Sequence, residues 1–481
     1  MSQACTAEDF DVAIVGGGAA GALAAIQLLR RATAALRIVL VDPGSGIGQG
    51  IAYATRRPEH LLNVPAGRMS GFPDAPDDFA DFLLGTEACA GLPRETLAHR
   101  YVPRRLFADY LHERLRQARA DSPGRFEVIH DRVLALDTAA GGIELSLRGG
   151  GRLRAGRAIL AVGNALRPLP ARGAGLLDGR HLVEAWDSEA LAAIPAEASV
   201  CIVGSGLSMA DAAVTLHARG HRGPIHVVSR HALLPLPHAE GAPATFDPQP
   251  LLAMTLRQRL RALRAHAAQA RRAGIPWQNV MERIRPLGQM LWRSLSHEDQ
   301  RRFLRHAVRY WDVHRHRIAA PVHDCLQALL RNGQLHLHRA RLETVATAGA
   351  CVQLGLNRAC GPLYIDAHCV INATGVEMRA QAMRNPLLQQ LVGSGVAVAG
   401  PHGIGVDTAE DGSLVDADGH ADPRVRVIGS LRIGRLWESL AIPELRGQAQ
   451  QAAMACAGTD AGERCAGTEA GAMPGGLARL P

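Results

Sequence analysis

Residues 10–15 (FDVAIV) form a short apolar run that ends at glycine, the pattern of a buried strand. The following GGGAAGALAAIQLLRR has helical spacing and sets Leu23, Ile26 and Leu29 to pack against a sheet. RIVLVD at 37–42 predicts a second buried strand. Strand, glycine turn, helix, strand and acid, in that order, open a βαβ unit. A second unit begins near Ser199: SVCIVGSG predicts strand and turn, LSMADAAVTLHARG a helix, and PIHVVSR the next strand. Between the two, 104–118 predicts a helix, and β-like segments run on to RAILAVGN.

From 251 to 334 the pattern changes. Leu252, Leu256, Leu260 and Leu263 recur at helical spacing beside Arg257, Arg261 and Arg264, and 298–310 has helical character too. Strand signals return at LHLHRARLETV, CVQLGL and HCVINATG, and 429–453 predicts a further turn and helix. Residues 457–481 are small, Gly/Ala-rich and aperiodic, which predicts a disordered tail.

The expected fold class is α/β, with two Rossmann-like dinucleotide-binding domains and a helical insertion. The expected division is 1–165 for the first domain, 166–250 for the second, and 251–334 for the insertion. Residues 335–375 return to the second domain, 376–456 return to the first, and 457–481 are the tail.

Composition narrows the function. A chain of 481 residues is too long for one ordinary domain, and 47% hydrophobic with 20% charged residues is the balance of a globular protein. There is no lysine, so Schiff-base, P-loop and lysine-nucleophile chemistry are excluded. The formal charge of +8 comes from dispersed arginines, and aromatic residues are only 4%, which argues against nucleic-acid binding. The nine cysteines include no Cys-x-x-Cys pair and read as reduced cytoplasmic thiols. Val12 to Leu29 lacks charge, but its glycines and the absence of a preceding Lys or Arg argue against a signal peptide or membrane span. The expectation is a cytoplasmic protein without membrane or metal partners.

Two glycine turns carry the chemistry. In the first, Gly16 permits the tight turn, Gly18 lets a pyrophosphate approach, and Gly21 lets helix and strand pack closely. The helix N-terminus offers N–H donors and positive dipole to phosphates, and Asp42 can accept from a ribose. In the second, Gly204, Ser205, Gly206 and Ser208 repeat the context, with Met209 in place of the third glycine. That strand ends in Ser229 and Arg230 with no acid, and hydroxyl plus guanidinium suits the 2′-phosphate of NADPH. Two such units in one chain point to FAD on the first and NADPH on the second.

The cluster Trp311, Asp312, His314, Arg315, His316 and Arg317 is open to three readings. It lines a substrate pocket, with Arg on a carboxylate and His relaying protons; it binds metal; or it is a helix end with solvated bases. The Arg257, Arg261 and Arg264 stripe reads as a solvated face. No hydrolase triad or carboxylate pair stands out in the sequence.

Several stretches, in order, carry a family resemblance. They are VAIVGGGAAG, GQGIAYATRRPEHLLNVPAGRMSGFPD, YVPRRLFADYL, VGSGLSMAD, SRHALLPLPH, YWDVHRHRIAAPV, INATG and WESLAIPELRGQA, covering most of 10–453. The chain resembles the bacterial FAD/NAD(P)-binding flavoproteins, distant relatives of the flavin-dependent ornithine and lysine N-hydroxylases.

The resemblance implies that Gly16, Gly18, Gly21 and Asp42 hold FAD, that Asn63, Val64 and Met69 line the flavin, and that Arg104 contacts the cofactor. It places Thr374 and Gly375 at the crossing between domains, and Gly429, Trp437 and Glu438 near the isoalloxazine ring. A helix N-terminus aimed at the flavin pyrimidine stabilises the negative charge of reduced flavin.

One departure stands out. The Phe-x-Gly-x-x-x-His-x-x-x-Trp/Tyr motif of many flavin monooxygenases is matched only by LDGRHLVEAWD, with altered spacing between Gly179, His181 and Trp186. The expected function is an NADPH-dependent FAD oxidoreductase. More finely, it is a monooxygenase that transfers oxygen from a C4a-hydroperoxyflavin to a small amine or sulfur substrate, with molecular oxygen as co-substrate. The alternatives are a reductase or dehydrogenase without oxygen transfer, and a non-enzymatic FAD-binding sensor.

Overall fold

The computed structural model describes residues 8–457 apart from 34, 45, 140 and 164. The expected tail therefore lies outside the described residues, except Ala457, which ends a helix.

The first strand, Glu8–Val15, runs parallel between Arg37–Val41 and Arg152–Leu160. Arg125–Ile129 extends this sheet on one side and Ala421–Val427 on the other, both parallel to their neighbours. The hairpin of Val133–Ala139 and Gly142–Leu147 joins through an antiparallel edge. Helix Ala19–Leu29 is buried from Gly21 to Leu29, which explains its nearly uniform apolar composition. It packs in one core with Phe107, Tyr110 and Leu111 of helix Arg104–Asp121 and with Leu445, Ala449 and Ala453 of the C-terminal helix Ile442–Ala457. The C-terminal segment thus returns to the first glycine turn.

The second sheet is wholly parallel. Its order is Leu335–Arg339, Ile225–Ser229, Val200–Val203, Cys369–Asn372 and Leu182–Glu184. A small antiparallel sheet, from Arg341–Ala348 to Gly361–Ala367, packs on one face through Leu342, Val352 and Leu354. The chain passes between the two large sheets twice. The two crossings, Ala165–Leu166 and Val376–Glu377, pair antiparallel with each other.

The helical pattern after 250 resolves into two groups. Helices between Leu256 and Arg315 pack on one another in small cores of Leu, Trp and Phe. The last, Ala320–Arg331, instead buries Val322, Leu326 and Leu329 against the second sheet, as the crossover that a parallel strand pair requires. The expected helix at 298–310 is interrupted: Phe303–Ala307 is a π-helical turn between His297–Arg302 and Val308–Arg315. Among the described residues no helix is long and apolar enough to cross a membrane. The uncharged stretch from Val12 is the first strand, its turn and the buried helix.

Candidate active site

The two glycine turns are built alike. Gly16 has φ +104°, and a Cβ there would lie 2.4 Å from the Ala161 carbonyl oxygen. Gly204 has φ +111°, and its Cβ would lie 2.2 Å from the Ala373 carbonyl oxygen. Each donates its N–H to the neighbouring strand at 2.9 Å, Gly16 to Val41 and Gly204 to Val228. A Cβ on Gly21 would stand 1.8 Å from the Gly16 oxygen, so the close approach of helix to turn demands glycine there. Where the second turn lacks that glycine, Met209 is fully buried in the core with Ile202.

Gly18 and Gly206 differ from these three crowded positions. A Cβ on Gly18 would meet only Gly50 Cα at 3.7 Å, and on Gly206 nothing within 4 Å. The fold itself leaves these two positions clear, and a cradle open toward the helix N-terminus fits a pyrophosphate. Asp42 closes the first turn: its carboxylate accepts from the N–H groups of Gly17 at 2.6 Å and Gly44 at 2.7 Å. A carboxylate has about four acceptor positions, so two remain for a ribose. The loop 46–50 folds over this turn through the Gly48 N–H to Gly17 oxygen bond of 2.7 Å, a contact the sequence pattern does not disclose.

On the second unit, Gly204, Ser205, Gly206, Ser208, Ser229, Arg230, Thr374 and Gly375 all line one cleft of about 750 Å³. The same cleft collects Arg167, Arg309, Arg341 and Arg379 from separate segments, and among its lining residues Asp312 is the sole acid. The Arg230 guanidinium is held below its ordinary pKa by burial and then by the neighbouring charges of Arg309 and Arg341. Arg167 is shifted down by burial, against the opposing pull of Glu377. Such a concentration of guanidinium groups fits phosphates. Ser229 is tied into the turn, its Oγ accepting from Ser205 Oγ at 2.8 Å and from the Ala232 N–H at 3.0 Å. Trp186, from the altered middle motif, donates its indole N–H to Ser208 Oγ at 3.1 Å at the cleft's rim.

The residues expected near the flavin are more scattered in role. Asn63 accepts from His238 Nε2 through its carbonyl at 2.9 Å, Val64 packs on the first core, and Met69 is buried. Arg104 is held by protein partners on both sides. Its guanidinium donates to both carboxylate oxygens of Asp211 at 2.7 and 3.0 Å, and its Nε to the Leu61 oxygen at 3.0 Å. Gly429, at φ +81°, stands beside Ala20 of the first turn and donates to Gln448 Oε1 at 2.9 Å. Trp437, at φ +58°, turns into the helical segment and stacks on Trp292 at 5.0 Å between ring centroids.

Glu438 accepts from Arg315 Nη2 at 2.9 Å through Oε2, while its Oε1 is buried without a partner. Ser430 Oγ, Ser439 Oγ and Glu444 Oε2, all on this C-terminal segment, are likewise buried and unpartnered. Burial pushes the Glu444 carboxyl above its ordinary range. Buried polar atoms without partners are rare in proteins. Such unpaired atoms, on the segment that begins at Gly429 beside Ala20, fit a ring system with both donors and acceptors, such as a flavin.

The 314–317 cluster divides. His314 is exposed and bonds the Tyr310 carbonyl at 2.7 Å. Arg315 and Arg317 are buried in ion pairs with Glu438 and Glu282, and Arg317 also donates to the Gln278 oxygen. His316 keeps an accessible ring, yet it is surrounded by protein that depresses its pKa, with Glu438, Arg315 and Asp312 as its charged neighbours. His314 and His316 are the exposed members of the run, and Arg315 and Arg317 are the buried ones.

Residues 13–165 match the family described as FAD-NAD(P)-binding. This part of the chain is an FAD/NAD(P)-binding domain. No curated protein matches the sequence. Among solved structures, L-lysine 6-monooxygenase from Pseudomonas syringae is similar, with 16% identity, a TM-score of 0.66, and coverage of 93% of this chain and 99% of that one. The Kutzneria sp. 744 ornithine N-hydroxylase, described with reduced FAD, NADP+ and L-ornithine, has 14% identity, a TM-score of 0.64, and coverage of 93% and 99%. The bacillithiol disulfide reductase from Bacillus cereus has 14% identity, a TM-score of 0.54, and coverage of 94% and 99%. The chain thus shares its overall fold with both monooxygenases and a reductase.

Proposed function

We propose that the protein is a cytoplasmic NADPH-dependent FAD oxidoreductase and, more finely, a monooxygenase acting on a small amine or sulfur nucleophile with molecular oxygen. The observation that carries the reading is the pair of equivalent glycine turns, the second of which lines an arginine-rich cleft. Gly16, Gly18 and Gly21 would hold the FAD pyrophosphate and Asp42 its ribose. Gly204 and Gly206 would hold the pyrophosphate of NADPH, and Arg230, with Arg309 and Arg341 close by, its 2′-phosphate.

When bound, the flavin supplies acceptance of hydride from the nicotinamide and delivery of electrons to oxygen. The chain's own residues do the rest. Arg315 orients Glu438 through a buried pair, and the Gly429–Glu444 segment offers unpaired oxygen atoms to the ring. His316, beside Glu438 and Asp312, has its pKa lowered by the surrounding protein and would serve as the group that accepts a proton from the substrate. The buried surroundings of Arg315 and Glu438 keep bulk water from the site.

The second reading is a reductase that passes electrons to another acceptor. The altered spacing of LDGRHLVEAWD and the similarity to a disulfide reductase favour it, although the chain has no Cys-x-x-Cys pair. Oxygen uptake, NADPH oxidation and hydrogen peroxide release, measured together on the FAD-loaded protein, decide between them. Oxygen uptake exceeding peroxide release in the presence of an amine or sulfide supports the monooxygenase. Peroxide equal to oxygen uptake with every nucleophile, or turnover only with an added acceptor, supports the reductase. Negligible NADPH oxidation refutes both.

A further inference from the structure

Two strands of the second sheet bring histidines together at a place that the reading above does not use. Ile225–Ser229 and Leu335–Arg339 run side by side, and Leu335–Arg339 is the edge of the sheet. Side chains alternate along a strand. Ile225, Val227, Leu335 and Leu337 pack into the core that holds helix Ala320–Arg331. His226, His336 and His338 therefore share the opposite face, where Val228 packs under the small antiparallel sheet. That cover leaves the histidines in reach of solvent: His226 and His338 are half-buried, and His336 is exposed.

The spacing is that of ligands around one ion. His226 Nδ1 and His338 Nε2 stand 3.1 Å apart and share one proton. Their ring centroids are 5.3 Å apart, and those of His226 and His336 are 5.1 Å apart. Two imidazoles on a tetrahedral ion, with metal–nitrogen bonds of about 2.0–2.1 Å, set their nitrogens about 3.3 Å and their ring centres about 5 Å apart. The pair has only to release its proton and turn slightly. His336 swings in about its own side-chain bonds as the third ligand, and water completes the four.

The charges around the pair fit a metal bound by neutral nitrogen. Burial, then His338 and His336, holds the His226 pKa down to about 4. Burial, then His336 and Arg358, lowers that of His338. Both rings are thus neutral near pH 7, the form that a metal ion takes. Imidazole ligands select ions such as Zn²⁺ over Mg²⁺ or Ca²⁺, which prefer oxygen. The Arg358 charge opposes any cation, so binding is looser than in a closed thiolate site.

We propose that His226, His336 and His338 form a binding site for a divalent transition ion of the Zn²⁺ type, which ties the edge strand to its neighbour. The far ends of these strands carry Ser229, Arg230, Ala340 and Arg341 into the arginine-rich cleft. His226 lies three residues before Ser229, about 10 Å along the strand, so the ion braces the cleft from outside it. The inference does not depend on the assignment of flavin or NADPH.

The test uses the untagged, FAD-loaded full chain, stripped of metal with a chelator. Calorimetric titration with ZnCl₂ should show one saturable equivalent, and MgCl₂ should show none. Zn²⁺ should also raise the melting temperature, because it binds the paired strands of the folded chain. His226→Gln, His336→Gln and His338→Gln, each still polar, should weaken Zn²⁺ binding about tenfold or more. Co²⁺ is a probe that needs no variant to fold. Bound by imidazoles in a four-coordinate site it absorbs in the visible, without the near-ultraviolet band of a thiolate ligand.

Absence of saturable Zn²⁺ binding, or equal binding by all three variants, overturns the proposal. A thiolate band with Co²⁺, or binding lost in Cys360→Ser, assigns the ion to that exposed thiol and overturns it as well. Unchanged binding in His336→Gln alone overturns the third ligand.

Discussion

Arg104 and Asp211 join the two nucleotide-binding units through a bidentate pair, with N–O distances of 2.7 and 3.0 Å. Arg104 opens helix Arg104–Asp121 of the first unit, and Asp211 lies in helix Leu207–Ala218 directly after the second glycine turn. Beside them His60 bridges Thr55 Oγ1 at 2.7 Å and Thr215 Oγ1 at 2.8 Å, again across the units. The relative placement of the two glycine turns is therefore held by polar contacts of planar, directional geometry.

Breaking that clasp should cost stability. Arg104→Ala leaves a nearly buried Asp211 carboxylate without its partner, with an expected loss of about 3 kcal/mol. Arg104→Lys should rescue only part, because an ammonium cannot match both oxygens. Chemical denaturation of both variants checks this, and equal stability of Arg104→Ala and the parent protein would refute it.

Coenzyme choice should depend on the arginine cluster. Arg230→Ala and Arg341→Ala should each raise KM for NADPH at least tenfold with little effect on NADH, since a charge-assisted bond contributes about 1.5–3 kcal/mol. Steady-state kinetics with both coenzymes tests the assignment, which an equal loss for NADH and NADPH would rule out.

The glycines of the first turn should separate folding from flavin binding. Gly21→Ala places a Cβ 1.8 Å from the Gly16 oxygen and should give insoluble or unfolded protein. Gly18→Val meets little of the protein itself and should fold but purify colourless. The ratio of flavin absorbance to protein absorbance, read beside the melting temperature, distinguishes them. A yellow Gly18→Val protein would place FAD elsewhere.

Stability should fall on mild acidification. Burial lowers the His238 pKa from 6.5 to about 4, and does the same to His226 with help from His338 and His336. The unfolded chain therefore takes up protons below about pH 6.5 that the folded chain refuses until about pH 4. More protons on the unfolded state means that stability rises with pH across this window and declines as pH drops through it. His238→Gln, which keeps a donor for the Asn63 carbonyl, should flatten part of the decline. Melting temperatures from pH 7 to 4.5 that show the same slope in both proteins would contradict this cause.

Much of the site was legible in local pattern. The turns at Gly16 and Gly204 follow from a buried strand, a residue that must take positive φ, and a helix beginning at once. Asp42 and Arg230 stand at the ends of the next strands because a βαβ unit brings each strand end beside its own glycine turn. Arg309 and Arg341 gave no such signal. They enter the cleft from a helix and a strand far along the chain, and an arginine in either looks like any solvated base. The 314–317 run stayed open to several readings for a related reason. The helix ends there, His316 at its C-terminal cap has ψ +81°, and consecutive side chains leave in different directions that no helical period describes.

The amino-acid sequence by itself determined two glycine turns, an α/β fold, and the exclusion of lysine chemistry, because each depends on backbone sterics or side-chain type within a few residues. Tertiary structure alone decided that Arg104 clasps Asp211, that arginines from separate segments share one cleft, and that Trp437 faces an apolar cavity. Those contacts depend on how whole elements pack, and the energy of a long-range pair leaves no period in the chain that forms it.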